Sequence, residues 1–175
     1  MLKRFLVLLA AAAALSTAAF AQAESAWTKY TSPTAKFSIL VPCTFKVTTG
    51  TVKAPGGDIE QTYHQCLGAP RYYIVSAAQF ATAPAAADRQ AVMEGFRSGV
   101  VESMKGMVVS EKPFTAAGNS GIEFVMSQTK DGMELIYKWR VHLAEKMLYG
   151  TGVATAKSNL PAPEVDKFLT SFSLQ

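Results

Sequence analysis

The sequence predicts an α+β fold, an antiparallel β-sheet packed with a long middle helix and a C-terminal helix. Three observations carry this expectation. Apolar strand-like stretches lie on both sides of a central segment with helical periodicity. Asp131-Gly132 joins two of those stretches as a two-residue hairpin turn, and a second helical stripe closes the chain.

The chain opens on a leader. Met1-Leu2-Lys3-Arg4 is a positive start, Phe5 to Leu15 is an apolar run, and small residues end at Ala21-Gln22-Ala23. These read as a secretory signal peptide, residues 1–23, cut after Ala23 and too short in its apolar part to anchor the protein. The expected mature chain, residues 24–175, has 175 − 23 = 152 residues and makes one domain in the periplasm or outside the cell. No cysteine follows the apolar run, which speaks against a lipid anchor, and no later run is long enough to cross a membrane. The whole chain carries 17 basic and 13 acidic residues; loss of Lys3 and Arg4 leaves 15 against 13, a net of +2. With no Lys/Arg cluster, that balance speaks against a nucleic-acid partner.

Lys36 to Val41 is a short apolar run ended by Pro42, and Phe45 to Thr48 continues it after a break. Thr49 to Asp58, rich in Gly and Thr and carrying Pro55-Gly56-Gly57, reads as a loop. Ile59 to Leu67 and Arg71 to Gln79 read as a hairpin joined by Gly68-Ala69-Pro70. The period then changes. Thr82 is placed to cap a helix of about twenty residues, with Pro84 near its first turn and Gly106 at its stop. Along it Val92, Met93, Phe96, Val100 and Met104 recur at three- and four-residue steps, an apolar stripe laid on the sheet.

Four further strands follow: Met107 to Phe114, Ser120 to Thr129, Met133 to Leu143, and Lys146 to Val153. With Asp131-Gly132 as the turn, Met126 faces Tyr137, Phe124 faces Trp139 and Ile122 faces Val141. On the opposite face Glu123 meets Arg140 and Val125 meets Lys138. A slip of one residue destroys both matches, so the register is specified twice over. The turn around Ala144-Glu145-Lys146 holds two or three residues. Pro161 to Ser171 forms the last helix, with Val165, Phe168, Leu169 and Phe172 as its apolar stripe and Asn159 or Ser158 as its cap.

Several segments in this order carry a family resemblance. Tyr30-Thr31-Ser32-Pro33 leads to Phe37-Ser38-Ile39, then Pro42 and Phe45; Gly121-Ile122-Glu123-Phe124 opens a strand, Tyr149 sits on another, and the chain ends Phe168-Leu169-Thr170-Ser171-Phe172-Ser173-Leu174. Together they resemble the PsbP-like fold family, which includes the extrinsic photosystem II oxygen-evolving protein, bacterial relatives and DcrB-type periplasmic proteins. The resemblance covers nearly all of the mature chain and implies a PsbP-like α/β/α sandwich, no intrinsic catalysis, and a role as an accessory or binding module. Members linked to photosynthesis bind a membrane complex and sometimes metal ions, but no metal site carries over here residue by residue. The cysteines Cys43 and Cys66 depart from the family pattern and suggest a subgroup with its own staple.

Cys43 and Cys66 lie 23 positions apart, without the spacing of a zinc site. In an oxidising compartment they read as a structural disulfide; two buried thiols are the alternative if their α-carbons stand too far apart. Gly118-Asn119-Ser120-Gly121 resembles a serine-protease nucleophile turn and would need a histidine and an acid, for instance His64 and Asp88. A turn joining two strands explains the same residues. His64 and His142 fall on strand positions of a polar face. There Lys138, Arg140 and His142 form a basic row, read as a surface for an acidic ligand or partner, or as a solvated face balanced by Glu123. Asp58 and Glu60 make a weak oxygen pair, and no metal or cofactor is expected. Gly56-Gly57 lacks the rest of a phosphate loop. Tyr72, Tyr73, Tyr137 and Trp139 read as packing residues. The leading expectation is a non-enzymatic exported module with a protein partner in the periplasm or at a membrane surface. A small-molecule or metal carrier and a hydrolase using Ser120 are the alternatives.

Overall fold

The computed structural model describes residues 26–54, 57–116 and 118–175; the expected signal peptide, residues 1–23, and Pro55-Gly56 lie outside the described residues. A three-stranded sheet holds β1 (Thr28–Ser32), β2 (Phe37–Val41) and β10 (Ser173–Leu174), in the order β1-β2-β10. A seven-stranded sheet holds β3 (Lys46–Ala54), β4 (Gly57–Gly68), β5 (Arg71–Gln79), β6 (Met107–Ala116), β7 (Asn119–Lys130), β8 (Met133–Ala144) and β9 (Met147–Ala156). Its order is β3-β4-β5-β9-β8-β7-β6, antiparallel throughout. The helices are α1 (Arg89–Ser103) and α2 (Pro163–Thr170).

The large sheet separates two cores, because successive strand residues point to opposite faces. On one face Ile122, Phe124, Met126, Trp139, Val141 and Leu143 pack against Met93, Phe96 and Val100 of α1. On the other, Tyr73, Val75, Tyr149 and Val153 meet Phe37, Ile39 and Val41 of the small sheet and Val165, Phe168 and Leu169 of α2. The β7–β8 hairpin has the expected register, with Met126 opposite Tyr137, Phe124 opposite Trp139, and Glu123 opposite Arg140. Asp131 (φ 50°) and Gly132 (φ 77°) take the left-handed conformations that a two-residue turn of this hand requires. The β8–β9 turn is also two residues, Glu145 and Lys146, since Ala144 pairs with Met147.

Four expectations need correction. Of the expected loop Thr49 to Asp58, the described residues are strand: β3 and β4 pair from Lys46 opposite Gln65 to Ala54 opposite Gly57, and the ribbon runs past the end of β5, where Glu60 pairs with Gln79. Its threonines are good strand formers, and a strand exposed on both faces carries no apolar alternation to reveal it. Lys36 to Val41 and Phe45 to Thr48 do not continue one another but belong to different sheets.

The middle helix starts at Arg89 and has 15 residues. Pro84 disfavours the helical region for Ala83, and Ala85 is extended (φ −57°, ψ 153°), so Thr82 caps nothing. At its other end Lys105, not Gly106, is left-handed (φ 51°). Gly106 N–H donates to the Val101 carbonyl and Lys105 N–H to that of Glu102, the paired bonds of a Schellman stop. Glycine at 106 answers to packing: a Cβ there would stand 2.9 Å from the Ser127 carbonyl oxygen, beside Met126 Cε. The last helix likewise starts at Pro163, since Pro161 and Pro163 hold Leu160 and Ala162 extended, and neither Ser158 nor Asn159 caps it. The stripe of Val165, Phe168 and Leu169 is buried as its spacing requires.

Candidate functional site

The face of the large sheet that looks toward α2 is built in rows across the strands. Lys112, Glu123, Arg140 and Thr151 stand side by side on β6, β7, β8 and β9; the next row holds Phe114, Gly121, His142 and Tyr149. Glu123 is only 4% exposed and gathers three cations. Arg140 Nε donates to its Oε2 at 2.7 Å, Lys112 Nζ stands 3.2 Å from its Oε1, and Lys138 Nζ stands 3.7 Å from the same atom. Lys138 also donates to Asp166 Oδ1 of α2 at 2.8 Å. Burial alone would raise the Glu123 pKa; the hydrogen bonds from Arg140 and Lys112 and the charges of Lys138 and Arg140 outweigh it, so the carboxylate stays below its ordinary range. The basic row of Lys138 and Arg140 is thus engaged within the fold.

His142, expected beside them on a solvated face, is 2% exposed. The face parity is as expected; what covers it is α2 and the tail that follows. The imidazole stacks on Tyr149 (centroids 5.4 Å apart), meets Phe172 edge-on at 5.0 Å and Phe114 edge-on at 6.1 Å. Phe114 can lie there because residue 121 is glycine: a Cβ would come within 2.4 Å of its ring. Neither ring nitrogen of His142 has a hydrogen-bond partner among the described residues. Burial lowers its pKa to about 4, so the ring is neutral at physiological pH.

Between this row and the tail lies a cleft of about 270 Å³, lined by Phe114, Thr115, Arg140, His142, Thr151 and Phe172 among others. The Arg140 guanidinium carbon stands 5.4 Å from the Phe114 ring centroid. A wider depression of about 470 Å³ on the β6–β7 side includes Ser120, Lys112 and Phe114.

The other sequence candidates are dispersed. Cys43 and Cys66 are bonded, with α-carbons 6.0 Å apart. His64 is 1% exposed beneath the small sheet, where its Nδ1 meets the Tyr30 hydroxyl at 3.0 Å and its ring stands edge-on to Phe37. Burial lowers its pKa as well. Ser120 is exposed on β7, four strand spacings from β4, which carries His64. At about 4.8 Å per spacing that is roughly 19 Å, so these two do not form a nucleophile–base pair. Asp88 lies in the turn before α1, and Asp58 and Glu60 are exposed on β4. Among the described residues no three His, Cys, Asp or Glu side chains group closely enough to hold a metal ion. Tyr73 and Trp139 are buried, and the Tyr137 hydroxyl donates to Gln128 Oε1 at 2.7 Å. The cleft escaped the sequence reading because its far wall, Leu169 to Phe172, comes from the other end of the chain.

No protein-family model matches this chain, and no curated protein matches it. Solved structures do. The solution structure of cyanobacterial PsbP from Synechocystis sp. PCC 6803 aligns at a TM-score of 0.60 and 13% identity, covering 86% of this chain and 94% of that one. A Bacteroides thetaiotaomicron VPI-5482 protein aligns at 0.48 and 11% identity, covering 84% of this chain and 48% of that one. A Pseudomonas aeruginosa protein of unknown function aligns at 0.44 and 12% identity, covering 79% and 88%. With its antiparallel sheet, long middle helix and C-terminal helix, this chain has a PsbP-like α+β fold.

Proposed function

We propose that this protein is an exported, non-enzymatic accessory module that binds a protein partner outside the cytoplasm. The observation that carries the reading is the dispersal of the reactive groups. The two histidines are buried among aromatic rings, the cations around Glu123 are paired, and Ser120 stands far from His64. The likeness to cyanobacterial PsbP adds to it by analogy of fold. The Cys43–Cys66 disulfide suits an oxidising compartment, in keeping with a signal peptide at residues 1–23. The partner surface would be the outer edge of the charged row, where Lys112 and Lys138 reach solvent.

Native mass spectrometry of the protein taken from its own exported fraction tests this. The expected result is a chain beginning at Glu24, two hydrogens light, carrying a second protein whose retention falls when Lys112 and Lys138 are both changed to alanine. Fluorophosphonate labelling that disappears in Ser120→Ala would overturn the non-enzymatic reading in favour of a hydrolase.

A further inference from the structure

His142 presents a cost that the fold alone does not repay. A buried polar group without a hydrogen-bond partner destabilises, and folded proteins keep few of them. His142 has two such nitrogens, and its ring lines the cleft under the C-terminal tail. A neutral imidazole offers one donor and one acceptor to whatever enters.

The same cleft presents a charged fork. Arg140 is held by its Nε to Glu123, and among the described residues no hydrogen bond holds its two terminal nitrogens. Those nitrogens form the planar pair that suits a carboxylate. Three cations, Lys112, Lys138 and Arg140, stand against two carboxylates, Glu123 and Asp166, which leaves the neighbourhood net positive by one. Thr115 and Thr151 line the cleft too, and Thr151 Oγ1 makes only a long 3.4 Å contact to the Arg140 carbonyl. Phe114, Phe172 and Leu169 supply the apolar part of the wall, and Thr170 adds a further hydroxyl. At about 270 Å³ the space exceeds the roughly 150 Å³ apolar cavity known to hold a benzene ring in an engineered protein.

We propose that this cleft binds a small aromatic carboxylate, with the carboxylate on the terminal nitrogens of Arg140, the ring between Phe114 and Phe172, and a polar substituent or carboxylate oxygen at His142. The site depends neither on export nor on a protein partner. It adds a ligand to the fold, and its test reads the isolated domain.

Amide and imidazole NMR shifts of the disulfide-bonded chain 24–175, titrated with benzoate, test the proposal. Benzoate should shift Phe114, Thr115, His142, Thr151 and Phe172 saturably. Benzyl alcohol, which lacks the charge, and inorganic phosphate, which lacks the ring, should each bind at least about tenfold more weakly. Arg140→Lys keeps a cation beside Glu123 and so preserves the fold, but removes the fork; it should weaken benzoate about tenfold. No saturable shift at millimolar benzoate, equal binding by phosphate, or unchanged affinity in the folded Arg140→Lys variant would each overturn it. Loss of partner retention in the Lys112/Lys138 variant is read on a different sample, so the two proposals fail separately.

Discussion

Lowering the pH from about 7.5 to about 4 should destabilise the folded protein by roughly 3 kcal/mol through His142 alone. In the folded state its pKa lies at about 4; in the unfolded chain it returns to the ordinary 6.5. Between those values the unfolded state binds the extra proton, so stability falls as pH falls, beginning near 6.5 and ending near 4. A difference of about 2.5 pKa units at about 1.36 kcal/mol each gives the total, of which about 2 kcal/mol is lost by about pH 5. Beside the ring, Tyr149 stays neutral because burial, with Glu145 nearby, pushes its pKa up to about 12. His64, also lowered by burial, adds loss of the same sign. The lowered Glu123 pKa acts below its ordinary 4.5, where protonation in the unfolded chain starts to cost stability. Urea unfolding at a series of pH values, for the natural chain and for His142→Phe, isolates the imidazole. Phenylalanine keeps a ring between Tyr149 and Phe172 but cannot titrate, so the slope between pH 6.5 and 4.5 should flatten. An identical slope in the two proteins would refute the assignment to His142.

Removing the disulfide with Cys43→Ser and Cys66→Ser should cost about 3 kcal/mol from loop closure over 23 positions, read as a lower urea midpoint. Phe168→Ala, at a fully buried position where α2 meets Tyr73, should cost about 3–5 kcal/mol in the same assay. Glu123→Gln leaves Arg140, Lys112 and Lys138 without their shared anion and should cost about 2 kcal/mol or more; unchanged stability would show that water already compensates those cations.

The β7–β8 hairpin was legible because both of its faces carry matched pairs, so only one register satisfies them. The apolar stripe of α1 was legible for the same reason of period, but its start was not, because alanines favour helix while Pro84 and an extended Ala85 set a later beginning. β1 and β10 were invisible. Thr28-Lys29-Tyr30-Thr31-Ser32 shows no apolar alternation, and Ser173-Leu174 is too short to show any. Their pairing is decided by β2, from residues as distant as Ser38 and Ser173, whose hydroxyls meet at 2.8 Å. That distant pairing also explains His142. Alternation correctly placed it with Lys138 and Arg140, yet whether that face meets water depends on a tail about thirty residues further along. The charged row was readable as residues; its burial, and the cleft beside it, are properties of the assembled chain.

The Cys43–Cys66 bond joins the stretch just after β2 of the small sheet to β4 of the large one, and so decides how the molecule would respond to tension. Force applied at the two ends passes through the sulfur bridge and bypasses the β3–β4 ribbon. Peeling away β10 and α2 would release the tail, while the ribbon between the cysteines stayed slack at any load below covalent rupture. In a single-molecule pulling experiment the oxidised chain should therefore fall short of its reduced form by the length of that hidden loop, roughly 80 Å of contour.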